Sequence, residues 1–450
     1  MKRVPGRFAL SLLAVSLLAA APAAWAQEQD QETDEEKKAG AETEKKAEAE
    51  QETAENQEAQ ERPRRPRFGG PDQVENQLEE DAAPKEPLIR LDFLEPYLDF
   101  KESLKESSGF SFGVDYSVVY LKATESVGED EAASGMVRLF GAWEFVGRGS
   151  PNTGALVYKV EHRHKYTSIA PGSLGFELGY VGLMEPPFSD AGFVLGNFYW
   201  RQKLAGGKVG FYAGWVDATD YVDVYALASP WLHFMNFVFS TGGAAIPAPN
   251  QGLGVVAGVL ITDQIYATAG LADSNSDPTK PWDGFDSFFS QAEYFTHVEV
   301  GWTTAQDRIY LDNVHVTFWH ADERVEAAVP NGWGLNFSAT HYIDDKWLPF
   351  LRAGYAKDGG SLLQRSVSVG FGYQWRPFQD LVGFGFNWGQ PNETTFEPGL
   401  ADQYSLEAFY RLQLARQLAL TPDVQLLFNP ALNPDASSTW VFGVRARLNL

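Results

Sequence analysis

From Gly109 to the last residue, Leu450, the chain alternates apolar and polar residues with a period of two, and few folds sustain that pattern for so long. In the first run Phe110, Phe112, Val114, Tyr116, Val118 and Tyr120 share one face, with Ser111, Gly113, Asp115 and Ser117 on the other. In the last, Trp440, Phe442, Val444, Ala446, Leu448 and Leu450 are apolar, and Gly443, Arg445, Arg447 and Asn449 take intervening positions. Val367 to Trp375, Val382 to Trp388 and Trp333 to Phe337 repeat the pattern. Successive side chains of a strand point to opposite faces, so each run predicts a strand with one apolar face.

A soluble β-sandwich alternates as well; the character of each face and the strand length separate the two. The polar faces here hold mostly Gly, Ser, Asn and Gln with sparse Arg and Glu, and the apolar faces carry Trp and Tyr near the ends of the runs. That is the arrangement of an aromatic girdle at a membrane boundary. The runs reach about 10–14 residues, enough to cross a bilayer when tilted. After the first 26 residues no apolar run nears the roughly 20 residues of a membrane helix, Leu253 to Ile261 being among the longest. A bilayer offers no partner to an open sheet edge, so the expected fold is an all-β, transmembrane antiparallel β-barrel of about 16 strands, 16 to 18 by count. The two doubtful strands lie near Gly175–Val181 and Phe234–Ser240. Such a barrel is too wide for side chains to fill. The stretches Ser229 to Leu253 and Asp273 to Ser287 are expected to be loops, some of them folding inward.

The 450 residues include 42 glycines and 18 tyrosines, no cysteine and only four methionines, a balance that suits strands. Without cysteine there is neither a disulfide framework nor a thiolate metal site. A formal charge of -24 argues against nucleic acid as a partner.

The chain opens with Lys2, Arg3 and Arg7, an apolar stretch from Phe8 to Ala20, and Ala24-Trp25-Ala26, which together read as a signal peptide over 1–26. Gln27 to Gln60 holds 13 acidic and 4 basic residues and no aromatic, so it cannot bury a core and is expected to be disordered. Arg62-Pro-Arg-Arg-Pro-Arg67 continues as a basic linker. By composition, residues 27–87 form one acidic, low-complexity tail and linker in the periplasm. Residues 88–108, with Pro96 interrupting an amphipathic stretch, predict one or two short helices leading into a barrel over 109–450.

Several motifs resemble the carbohydrate-selective porin (OprB) family. They are Tyr410-Arg-Leu-Gln-Leu, Leu420-Thr-Pro-Asp-Val-Gln-Leu-Leu-Phe-Asn-Pro430, and Asn433-Pro-Asp followed by Trp440-Val-Phe-Gly-Val-Arg-Ala-Arg-Leu. Lys159-Val-Glu-His-Arg163, Tyr199-Trp-Arg-Gln202 and Gly214-Trp-Val-Asp-Ala-Thr-Asp220-Tyr-Val-Asp223 add to them. The resemblance covers roughly Gly109 to Leu450 and implies a monomeric, 16-stranded outer-membrane barrel that passes mono- and oligosaccharides by diffusion. It also implies as partners the outer-membrane lipid and lipopolysaccharide, the barrel assembly machinery and small sugars, in a Gram-negative cell. The chain departs from the family by ending in Leu450, where an aromatic residue is usual, and by its acidic tail.

Strand parity assigns the inward face. It receives Arg138 and Glu144, then Lys159, Glu161 and Arg163, then Tyr199 and Arg201. From the last strands come Glu407, Arg411 and Gln413, Asp423 and Gln425, and Arg445, Arg447 and Asn449. Arginine beside carboxylate offers donors and acceptors to hydroxyls with little net field, which suits neutral polyhydroxylated solutes. Tyr199 and Trp319 could stack on sugar faces. The plainer alternative is that these charges simply pair with one another.

His162-x-His164 puts two imidazoles on the opposite face from Lys159, with no third ligand near, so no metal site is expected. Asn336, Ser338, Thr340 and His341 read as lumen polar groups, and Gly242-Gly243 lacks any phosphate-loop context. No enzyme and no cofactor are expected. Two rivals to a sugar pore are a general or weakly anion-selective diffusion porin and a structural outer-membrane protein anchored through its acidic tail.

Overall fold

The protein is described by a computed structural model over residues 67–376 and 379–450. The leader read over 1–26 and the acidic tract over 27–60 lie outside the described residues.

Sixteen strands form the body of the described structure. They are β1 (Phe110–Ala123), β2 (Glu131–Val146), β3 (Gly154–Lys165), β4 (Gly192–Leu204), β5 (Val209–Val216), β6 (Gly252–Leu260), β7 (Ile265–Asp273) and β8 (Tyr294–Thr303). The second half holds β9 (Asn313–Ala321), β10 (Gly332–Thr340), β11 (Trp347–Asp358), β12 (Leu363–Gln374), β13 (Leu381–Pro391), β14 (Gln403–Ala415), β15 (Leu418–Phe428) and β16 (Ser438–Asn449). Each pairs antiparallel with its sequence neighbours, and β1 closes on β16 with Asp115 opposite Asn449 and Ala123 opposite Val441. The sheet is a closed barrel without an edge. Among the described residues no helix is long and apolar enough to cross a membrane.

The pleat sorts the side chains as an inside-out protein would. Val298, Phe318 and Leu335 lie side by side on β8, β9 and β10, pointing out, and each is about half exposed. The inward neighbours Glu299, Thr317 and Asn336 are buried. Aromatic residues ring both outer rims: Trp347 against Tyr373 at one end, Trp440 against Phe442 at the other. An outward apolar belt is stable only against hydrocarbon, since in water a patch of this size drives association.

The two doubtful strands are not strands. Gly175–Glu177 ends a helix and Phe237–Phe239 is a 3₁₀ turn, both within the long connections 166–191 and 217–251. Their apolar residues, Leu174, Tyr180, Val181, Phe234, Val238 and Phe239, pack on one another inside the barrel. An apolar run without a pairing partner satisfies its backbone more readily in a compact turn.

Ahead of the barrel come a nine-residue helix, α1 (Val74–Ala82), a 3₁₀ turn (Asp92–Leu94) and α2 (Glu95–Ser108). Helix α2 has Pro96 in its first turn and ends on Gly109, whose φ of 74° is the left-handed conformation that favours glycine at a helix end. Residues 67–83, which composition assigns to linker, are therefore folded. The physical reason is the barrel itself: their few apolar residues, Phe68 and Val74, are buried against its inner wall.

An arginine on the hydrocarbon-facing side should be costly. Phe318→Arg is expected to destabilise the barrel by about 2–4 kcal/mol in refolding from urea into lipid vesicles. An unchanged midpoint would mean that this face does not meet lipid.

Candidate pore and the segments that fill it

All fourteen residues assigned to the lumen by parity, together with Trp319 and Asn449, belong to the barrel strands, and most are buried. Arg138 on β2 and Arg447 on β16 both donate to Asp115 on β1 between them, at 2.9 and 2.8 Å through Nε. Glu161 and Arg163 pair on β3 at 2.5 Å, and Glu144 accepts from Arg201 on β4 at 3.0 Å. Gln425 donates to Asp423 at 3.0 Å, and Gln413 donates to the Ala415 carbonyl at 2.7 Å. Tyr199 packs edge-on against Tyr212 and Tyr221, and Trp319 stacks on Phe295. A guanidinium taken out of water is stable only when paired and hydrogen-bonded, so each needs a partner within the lumen.

Much of that partnership comes from the connections rather than the wall. The segment 217–251 turns into the barrel and is held by Asp223. This carboxylate accepts from Arg352 on β11, from His315 Nε2 on β9 at 3.0 Å and from Asn336 on β10 at 3.2 Å. Burial acts to raise the Asp223 carboxyl, but Arg352 and His315 outweigh it and hold the group below the usual carboxylate range. The segment 166–191 supplies Glu185, which accepts from Arg445 at 2.5 Å, while burial pushes its carboxyl up to about 8. Asp223 and Glu185 have φ of 51° and 47°, an uncommon conformation for residues with a side chain, and the buried pairs keep them there. The two segments bind each other through Glu185 N–H to the Met235 carbonyl, 2.7 Å.

Further contacts wedge 217–251 against the wall. Glu407 on β14 accepts from the backbone N–H groups of Met235 and Asn236. Gln425 accepts from Asn236 at 3.4 Å, and Lys159 lies 3.6 Å from Asp220. Trp231 covers the Arg138 guanidinium at 4.4 Å, and Phe234 meets Phe409 edge-on at 4.9 Å. One part of the lumen is thus a packed interior of charges and aromatic rings.

The other occupant is α1 with the strand leading to it, at the barrel end where the chain enters at Phe110 and leaves at Asn449. Phe68 lies on Gly258 of β6, where an added Cβ would come within 2.5 Å of the ring, so the wall is glycine at this close approach. Tyr212 donates to the Phe68 carbonyl at 3.1 Å, and Ser229 donates to Asp72 at 2.5 Å. Beyond this, α1 faces the wall with acids. Glu75 accepts from Arg201 at 2.7 Å, Gln77 from Arg138 at 3.3 Å and Glu80 from Arg411 at 3.3 Å. Asp81 takes both terminal nitrogens of Arg447, each at 2.8 Å. Burial acts to raise the Glu75 carboxyl, but Arg201, Lys203 and Arg67 together outweigh it and lower the group to about 2. Cavities of about 820 and 390 Å³ lie on the two sides of α1.

The partners of these strand residues are not visible in any local pattern. Asp115 was on the polar face of the first strand and Asp220 and Asp223 in a quoted motif, yet nothing local marked them as anchors. Glu185, Arg352 and the acids of α1 carried no recognised signal. His162 and His164 lie on the outward face, where His164 is 2.9 Å from the Tyr166 hydroxyl and 3.3 Å from that of Tyr116.

Known proteins are similar to this chain in part of their sequence or in fold. Over 125 residues the chain is 33% identical to the porin AaxA of Chlamydia pneumoniae, and over 123 residues 31% identical to that of Chlamydia felis. These stretches cover 26% of the chain and only 28% and 27% of the two relatives. The barrel superposes on the high-pH structure of Pseudomonas putida OprB with a TM-score of 0.62 at 12% identity, covering 79% of this chain and 97% of that one, a likeness of fold. The family model of the carbohydrate-selective porins, OprB family, matches residues 97–450. The chain therefore belongs to the carbohydrate-selective porin, OprB family.

Proposed function

We propose that the protein is an outer-membrane channel through which mono- and oligosaccharides diffuse passively, with its N-terminal tract on the periplasmic side. The observation that carries this reading is the inward wall itself: guanidinium and carboxylate groups alternate there inside a barrel whose outer belt is apolar. Paired charges present donors and acceptors to hydroxyls while cancelling the long-range field that would select ions. Arg163 and Glu144 keep contact with water and are placed to exchange hydrogen bonds with a passing sugar. The segment 217–251 narrows the passage, so size is limited by a folded loop.

Orientation follows from the connections. At the end where the strands begin and end the chain, links are short, such as 205–208, 261–264 and 416–417. The longest links, 166–191, 217–251 and 274–293, are at the other end. Bacterial barrels have short periplasmic turns and longer outer loops, which supports a periplasmic position for α1. The lipid and lipopolysaccharide around the belt and the assembly machinery that inserts such barrels are its expected partners. Diffusion needs no catalytic group, and the protein acts as a channel rather than an enzyme.

Liposomes carrying the refolded protein should swell in isotonic glucose and maltose at rates that fall with sugar size. Swelling no faster than that of empty liposomes would remove the sugar reading. Releasing the inward segment should widen the passage. Asp223→Ala leaves Arg352 buried without its carboxylate and His315 with only Glu299, 3.7 Å away, a loss of about 3–5 kcal/mol. In planar bilayers this variant is expected to show a larger and noisier single-channel conductance, and an unaltered conductance would mean that 217–251 does not set the bore.

A further inference from the structure

Four arginines at the periplasmic mouth have more charge than the wall beside them can neutralise. Arg138, Arg201, Arg411 and Arg447 come from β2, β4, β14 and β16, and the wall carboxylates that pair with them are Asp115 and Glu144. The remaining carboxylate partners, Glu75, Glu80 and Asp81, are all on α1. That helix lies before residue 97, where the match to the porin family begins. A segment outside the family's common barrel therefore fills charge positions that the barrel wall provides.

The geometry at those positions is that of carboxylate recognition. Asp81 meets Arg447 with two parallel N–H···O bonds of 2.8 Å, the fork-to-fork pairing that arginine makes with a carboxylate. Arg201 and Arg411 keep buried Nε donors with no partner, so the helix leaves donor capacity at the site unused. The cavities beside α1, about 820 Å³ along Glu75 and Asp81 and 390 Å³ along Glu80 and Arg411, are of the size that holds a small ligand. The helix has nine residues, too few to be stable alone. Its segment buries Phe68 and Val74, with Leu78 packed beside them, and is otherwise held by hydrogen bonds and by the ion pairs to the wall arginines.

Resting on the channel reading above, we propose that these arginines form a binding site for carboxylate-bearing sugars, uronates in particular, and that residues 67–86 occupy it as a built-in ligand that such solutes displace. A uronate brings back the second carboxylate that Arg447 or Arg201 loses when Asp81 or Glu75 leaves, whereas a neutral hexose leaves each with its wall carboxylate alone, Asp115 or Glu144. Displacement is a competition for the same donors, so it depends on solute concentration.

The test uses the full-length refolded protein in planar bilayers, with D-galacturonate and D-galactose as probes at equal millimolar concentrations. Galacturonate is expected to raise the open probability several-fold and galactose to leave it unchanged. The triple substitution Glu75→Gln, Glu80→Gln, Asp81→Asn should be open without solute, shift the reversal potential toward chloride and no longer respond to galacturonate. Heat-modifiable mobility in gels checks that its barrel has formed; if it has not, the comparison of the two sugars on the unsubstituted protein decides alone. Equal responses to the two sugars overturn the proposal, as does a folded triple variant with unchanged open probability and ion selectivity. If galactose permeates while either of these holds, the sugar channel stands and only the plug inference falls. If neither form conducts, both fall together.

Discussion

Closure of the sheet between β1 and β16 is the constraint on which everything else depends. Inside a bilayer an unpaired backbone N–H or carbonyl has no solvent to turn to, so sixteen strands must each find two neighbours. Once the ring is complete, the pleat alone decides which residues meet hydrocarbon and which meet the lumen. Val298, Phe318 and Leu335 form an outward row because Glu299, Thr317 and Asn336 form the inward one. The same alternation that makes the outer wall soluble in lipid places charge after charge inside.

Those inward charges create a second requirement. A buried guanidinium is stable only if its hydrogen bonds and its charge are answered, and a sixteen-stranded wall is too wide for opposite sides to answer each other. The chain meets this with segments that enter the barrel. Asp223 on 217–251 answers Arg352, Glu185 on 166–191 answers Arg445, and the acids of α1 answer Arg201, Arg411 and Arg447. The wall arginines thereby fix the bore: they determine where the loops sit, and the loops determine what space is left.

The division of labour between the two ends is different in kind. The loop segments bring aromatic and aliphatic residues, Phe234 and Phe239 among them, that pack on Phe350 and Phe409 of the wall. They form a true core and cannot leave without exposing it. Helix α1 brings mainly carboxylates and amides. Ion pairs of this sort gain little net free energy over hydrated charges, so the two ends are held by interactions of different kinds.

How much of this was legible in the sequence follows from the range of each interaction. The period of two from Phe110 to Asn449 is a local property, fixed by the strand pleat, and so it carries the barrel and its approximate strand number. The run from Phe234 to Ser240 has the apolar content of a strand, but its partners are aromatic rings elsewhere in the lumen. Residues 67–83 have a composition close to that of the acidic tract before them, and Phe68, Val74 and Leu78 are the apolar residues that dock the segment. What the tertiary structure alone decided is which carboxylate each inward arginine meets. Asp81 and Arg447 are 366 residues apart. No local pattern joins them, and only a closed barrel with its own N-terminal segment folded into the mouth brings the two together.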